Sequence, residues 1–110
     1  MTEIYPSKLD RNGYAPSLFP HKECFICGKP GCLYVPLQRH EIFHGPNRQK
    51  SKRFGLWVTL CPMCHTNVHH QDPALDKWLK RVGQQKAMDT YGWTIAEFRA
   101  EFGKNYLEVR

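Results

Sequence analysis

Five cysteines and six histidines are the side chains of this 110-residue chain with the most chemistry to offer. Four thiols fall into two pairs, Cys24-x-x-Cys27 and Cys61-x-x-Cys64. Two such knuckles, separated by a strand, a loop and a strand, let four thiolates converge tetrahedrally on one zinc ion. Gly28 follows the first pair and Pro62 lies within the second, which suits the tight backbone needed to aim both sulfurs of a pair at one point. Dithiol redox motifs are the competing reading, but neither pair follows a strand and opens a long helix in a βαβ unit. Four sulfur ligands close the coordination shell, so the expected zinc is structural and does no chemistry itself. Cys32 is left over; it can replace Cys27 only through a poorer Cys-x4-Cys spacing, and an unpaired cysteine is the expected outcome.

The histidines offer a second kind of site. His40, His44, His65 and His69 all lie in the segment that the knuckles tie together. His65 and His69 are four apart and project side by side from a helix beginning at the second knuckle, while His40 sits on a strand anchored by the first. Neutral imidazoles from a helix and a strand can hold a divalent ion with open coordination positions, a site competent for chemistry.

The elements that must position these groups are short. Residues 1–22 contain Pro6, Pro16, Pro20 and Gly13 without sustained apolar periodicity, and read as an extended arm with little structure of its own. The remainder, 23–110, reads as one domain, with no internal repeat and no linker. Residues 33–43 are strand material broken at Pro36, and 54–60 supply a second strand ending at Cys61. Between them lies a basic stretch, Gly45 to Arg53, expected to be a loop. The helical segment after Cys64 ends near Asp72-Pro73, which cap the next helix; its Leu75, Trp78, Leu79 and Val82 stripe is expected to pack in the core. Thr94 and Glu97 form a capping-box signature, with Trp93 and Phe98 placed as a hydrophobic staple and Gly103 as a stop, predicting a last helix over 95–102.

Composition narrows the partners. The chain carries 16 Lys and Arg against 10 Asp and Glu, a net charge of +6, which favours a polyanion such as nucleic acid. No apolar run approaches the roughly 18 residues that span a bilayer, no secretory signal opens the chain, and the odd cysteine count suits reduced thiols. A cytoplasmic protein without a membrane partner is expected.

Several spaced motifs, taken together, resemble one known family. These are Cys24-x-x-Cys27, then Arg39-His40-Glu41-Ile42-Phe43-His44-Gly45-Pro46-Asn47-Arg48, then Gly55-Leu56-Trp57-Val58-Thr59-Leu60-Cys61-Pro62-Met63-Cys64-His65, then Val68-His69. The text resembles the HNH endonucleases, and most of all the phage and prophage proteins related to the Ref recombination nuclease, down to a closing Phe-Gly-Lys-Asn-Tyr at Phe102 to Tyr106. The resemblance runs from Cys24 to about Leu107. It implies a small α+β fold: a zinc-stapled ββα-metal motif followed by C-terminal helices.

The resemblance also implies metal-dependent hydrolysis of DNA phosphodiesters in a bacterial host cell, with phage recombination or packaging proteins as further partners. Beside the structural zinc of Cys24, Cys27, Cys61 and Cys64, it implies one catalytic divalent ion (Mg2+, Mn2+, Ni2+ or Zn2+) held by His40, His65 and His69. His40 and Glu41 occupy the family's adjacent pair, whose second member is usually a histidine base. Two assignments stay open: His40 binds metal and Glu41 is the base, or His40 is the base and Glu41 supports the metal. Leu56 stands where the family carries its middle asparagine, and Asn47 is the candidate to replace it. Arg39, Arg48, Lys50, Lys52 and Arg53 are the candidate phosphate contacts, Arg48 for the scissile phosphate. The rival is a zinc-ribbon-like nucleic-acid-binding module without catalysis, in which His40, His65 and His69 need not meet.

Overall fold

A computed structural model describes residues 9–20 and 22–107; the rest of the expected arm and the last three residues of the expected domain lie outside them. Strand β1 (Gln38–Glu41) pairs antiparallel with β2 (Trp57–Leu60), matching Gln38 to Leu60, Arg39 to Thr59, His40 to Val58 and Glu41 to Trp57. Because side chains alternate along a strand, Gln38 and His40 share one face with Val58 and Leu60, and Arg39 and Glu41 share the other with Thr59 and Trp57. Among the described residues, four α-helices complete the α+β fold: α1 (Arg48–Arg53), α2 (Pro62–Thr66), α3 (Pro73–Tyr91) and α4 (Ile95–Phe102). None is long and apolar enough to cross a membrane.

Both strands are shorter than expected. Residues 31–37 form no strand; Leu33 and Tyr34 are 88% and 89% exposed, so no second layer rewards extension there. Phe54 and Gly55 form a turn; Gly55 takes φ +76°, which favours glycine, and a Cβ there would also stand 2.5 Å from the Pro16 carbonyl oxygen. The basic stretch is not a loop. Gly45–Asn47 form one 3-10 turn with Pro46 near its start, and α1 follows directly. Arg, Gln and Lys are good helix formers. The buried Ser51 hydroxyl then closes the connection, accepting from the Phe43 amide at 3.1 Å and donating to the Leu56 carbonyl at 2.5 Å.

Residues 9–20 have no helix or strand, yet they are pinned along the hairpin. The Ala15 amide donates to the Lys52 carbonyl at 2.9 Å, the Leu18 amide to the Gly55 carbonyl at 2.9 Å, and the Trp57 indole to the Ala15 carbonyl at 2.7 Å. This segment covers the Arg39 and Glu41 face of the sheet, with Tyr14 edge-on to Trp57.

The C-terminal helices close the other side. Asp72 caps α3 by accepting from the Leu75 amide, and the Thr94 and Glu97 capping box starts α4 as its spacing predicts. The buried stripe of α3 is Leu79, Gly83 and Ala87, not one centred on Trp78, which is 39% exposed and tilts against Phe25. Gly83 explains the shift: a Cβ there would lie 2.9 Å from Ile42 Cγ2 and 3.2 Å from the Phe43 ring, so the missing side chain lets α3 close over the residues that follow β1. Phe43 in turn packs on Phe98, Phe102 and Tyr106. Gly83→Ala is therefore expected to destabilise the protein by about 1–3 kcal/mol through overpacking, despite alanine's better helix propensity. A lowered urea midpoint with unchanged slope would verify this.

Candidate metal centres

The sulfur cluster is built from two turns. After Cys24 the chain reverses, with the Gly28 amide donating to the Cys24 carbonyl at 2.8 Å, and the Phe25 amide ties the knuckle to β2 through the Thr59 carbonyl at 2.9 Å. Cys61 follows β2 and caps α2, its sulfur accepting from the Cys64 amide at 3.5 Å. The four sulfurs lie within 4.8 Å of one another, and Cys27 Sγ and Cys61 Sγ are 3.8 Å apart. Two sulfurs about 2.3 Å from one ion at a tetrahedral angle would be separated by roughly 3.8 Å, so the cluster fits structural zinc. Its electrostatics ask for a cation. Burial and the three neighbouring sulfurs push the Cys64 thiol up, whereas at Cys24 burial is outweighed by amide donors and the pKa falls to about 6. Cys32 is exposed and outside the cluster, as expected of the unpaired thiol.

The imidazole cluster draws on the inward face of β1 and on the helical segment after the second knuckle. His40, on the inward face of β1, is 1% exposed, and its Nε2 has no hydrogen-bond partner. His65 comes from α2, and His69 from a π-helical turn (Asn67–Gln71) that continues it, a widened turn of the kind frequent at functional sites. Donor atoms of the three residues lie within 4.8 Å of one another, with His65 Nε2 and His69 Nε2 only 3.1 Å apart. Two nitrogens about 2.0–2.1 Å from one ion lie roughly 2.9–3.4 Å apart for octahedral to tetrahedral angles, so these rings fit a shared divalent cation. Burial, reinforced by the neighbouring imidazoles, lowers the His40 pKa to about 3, and burial lowers His65 and His69 as well. All three are therefore neutral lone-pair donors near neutral pH. Three protein nitrogens leave coordination positions for water or substrate, unlike the four sulfurs.

The other candidates named from the sequence lie outside this cluster. Glu41 faces the opposite side of β1, where its carboxylate accepts from the Tyr14 hydroxyl and from Arg48 Nε at 3.0 Å. Asn47 Nδ2 donates to the Phe102 carbonyl at 2.9 Å, tying the start of α1 to the end of α4 rather than to Glu41 or the triad. Among the basic residues, Arg39 pairs with Asp10 at 2.9 Å and stacks over Tyr14 and Trp57. Lys50 donates to the Glu101 carbonyl at 2.6 Å, and Lys52 is buried with its ammonium over the Tyr14 ring. Arg53 is exposed, and Arg48 is more than half exposed beside Glu41.

Two groups around the imidazoles carry no assignment from the sequence. Gln38 Oε1 accepts from His65 Nδ1 at 2.7 Å, which puts the His65 proton on Nδ1 and leaves Nε2 to bind. Its period-two spacing from His40 is the signal that could have found it. Asp76 reaches His44 from α3, a contact with no local signature in the sequence.

No protein-family model, curated protein or solved structure matches the chain.

Gln38→Ala is expected to weaken divalent-ion binding at the imidazoles about 10–100-fold while sparing the sulfur-bound ion. Cobalt(II) titration separates the two, because thiolate and imidazole coordination differ in their visible spectra; equal affinities would remove Gln38 from the site. Cys61→Ser should release zinc and unfold the chain, whereas Cys32→Ser should retain both metal and fold, as read by metal analysis and circular dichroism.

Proposed function

We propose that this protein is a metal-dependent endonuclease of the HNH type, hydrolysing phosphodiester bonds of nucleic acid, with double-stranded DNA as the substrate and phage recombination or packaging proteins as its partners. The observation that carries this reading is the convergence of His40, His65 and His69 beside a separate tetrathiol cluster. A scaffold that merely gripped nucleic acid would have no use for three neutral imidazoles gathered around one point. The net charge of +6 supports a polyanionic substrate.

In this reading the sulfurs staple β2 and α2 to the first knuckle, and the imidazoles hold the divalent cation. When bound, that cation supplies Lewis-acid stabilisation of the charge that builds on the phosphate and the leaving oxygen. His40 presents its buried, unpartnered nitrogen from β1, Gln38 fixes the tautomer of His65, and the π-helical turn brings His69 alongside. Arg48 and Arg53, exposed on α1, hold the substrate backbone. His40 serves as a ligand here and not as the base.

Supercoiled plasmid incubated with the protein and magnesium, manganese, nickel or zinc should be nicked or cut, and a chelator should stop the reaction. Plasmid left intact with all four metals would favour the non-catalytic binding module. His40→Ala should reduce cleavage to background without loss of the tetrathiol zinc, and a fully active His40→Ala would overturn the assignment. Arg48→Ala should lower the slope of log affinity against log salt by about 1, because one fewer phosphate is neutralised; an unchanged slope would remove Arg48 from the interface.

A further inference from the structure

His44, beside the triad, has no task in that reading, and it is built as a dyad with Asp76. His44 lies three residues beyond β1, and its Nε2 is 3.2 Å from Asp76 Oδ1 on α3. A carboxylate accepts at that distance, so the His44 proton resides on Nε2 and the lone pair on Nδ1, which has no hydrogen-bond partner among the described residues. Asp76 is held in turn by Lys80, whose ammonium lies 2.8 Å from Oδ2. Burial opposes ionisation of Asp76, but the Lys80 and His44 hydrogen bonds outweigh it and hold the carboxyl below its ordinary value. The three ring centres of the triad are 4.8 to 5.3 Å apart, whereas His44 stands 5.6 Å from His69 and 6.0 Å from His40. His44 thus lies just outside the ligand set, beside it, and its side chain is 37% exposed. Glu41, the other candidate, is on the far face of β1 and already paired with Arg48 and Tyr14.

We propose that His44 is the catalytic base of this site, with Asp76 as its positioning residue; the assignment rests on the nuclease reading above. The oxygen of the attacking water forms the new bond to phosphorus, and its proton passes to His44 Nδ1. The bond from phosphorus to the leaving sugar oxygen breaks, and that oxygen takes its proton from solvent. Asp76 keeps the imidazole in the accepting tautomer and stabilises the imidazolium that results.

The test compares wild type, His44→Ala, His44→Asn and Asp76→Asn under the metal that gives plasmid cleavage. Both His44 variants should keep wild-type cobalt(II) stoichiometry and thermal midpoint, lose about 10²–10⁴-fold in kcat with KM little changed, and His44→Ala should be partly restored by added imidazole. Asp76→Asn should lower kcat with the cation still bound, and imidazole should not restore it. Cleavage by either folded His44 variant within threefold of wild type would overturn the assignment, as would loss of the second cation in both, which would make His44 a ligand. Absence of cleavage by wild type under every metal would sink the nuclease reading itself, and an active wild type with active His44 variants would sink the dyad alone.

Discussion

Four thiols brought together in a small, largely buried cluster cannot all ionise against one another, and that constraint governs the middle of the chain. Burial and then the neighbouring sulfurs hold the Cys64 thiol high, whereas at Cys24 amide donors outweigh burial and hold it low. A divalent ion reverses that opposition and turns it into attachment between segments distant in sequence. The attachment also positions the second site. Cys61 and Cys64 cap and open α2, so the helix bearing His65 is aimed by the same turn that presents two of the sulfurs.

Strand alternation then divides the hairpin's chemistry between two surfaces. His40 turns inward to the other imidazoles, and Glu41, its neighbour in sequence, turns outward to Tyr14 and Arg48. An adjacent pair on a strand therefore does not act at one point, however close the two residues stand in the text. The residues that share His40's surroundings come from spacing by two along β1, from the helical segment after the second knuckle, and from α3.

Much of this could be read directly from the amino-acid sequence. The thiol pairs, the side-by-side placement of His65 and His69, and the capping of α3 and α4 all follow from short-range spacing, which is what local physics encodes, whereas the joining of His40 to that pair is what the family resemblance implies. The sequence misled where long-range packing decides. The basic stretch reads as a loop by composition, yet Ser51 folds it into α1 by reaching both Phe43 and Leu56. Asn47 reads as a turn or active-site residue, yet its partner is the last carbonyl of a helix at the far end of the chain. Trp78 reads as core, but Gly83 brings a different stripe of α3 onto the hairpin. The last two depend on contacts between elements distant in sequence, and the first on a hydroxyl whose partners composition does not reveal.

The close approach at Gly83 gives α3 a mechanical character. The helix bears on Ile42 and Phe43 at Gly83 and touches His44 through Asp76, two turns nearer its start and about 10 Å along the axis. Gly83 is thus the point at which the helix seats on the end of the hairpin, with Asp76 on the arm that extends from it. A tilt of about 5° about that point would swing Asp76 by roughly 0.9 Å over that arm, enough to part a 3.2 Å contact.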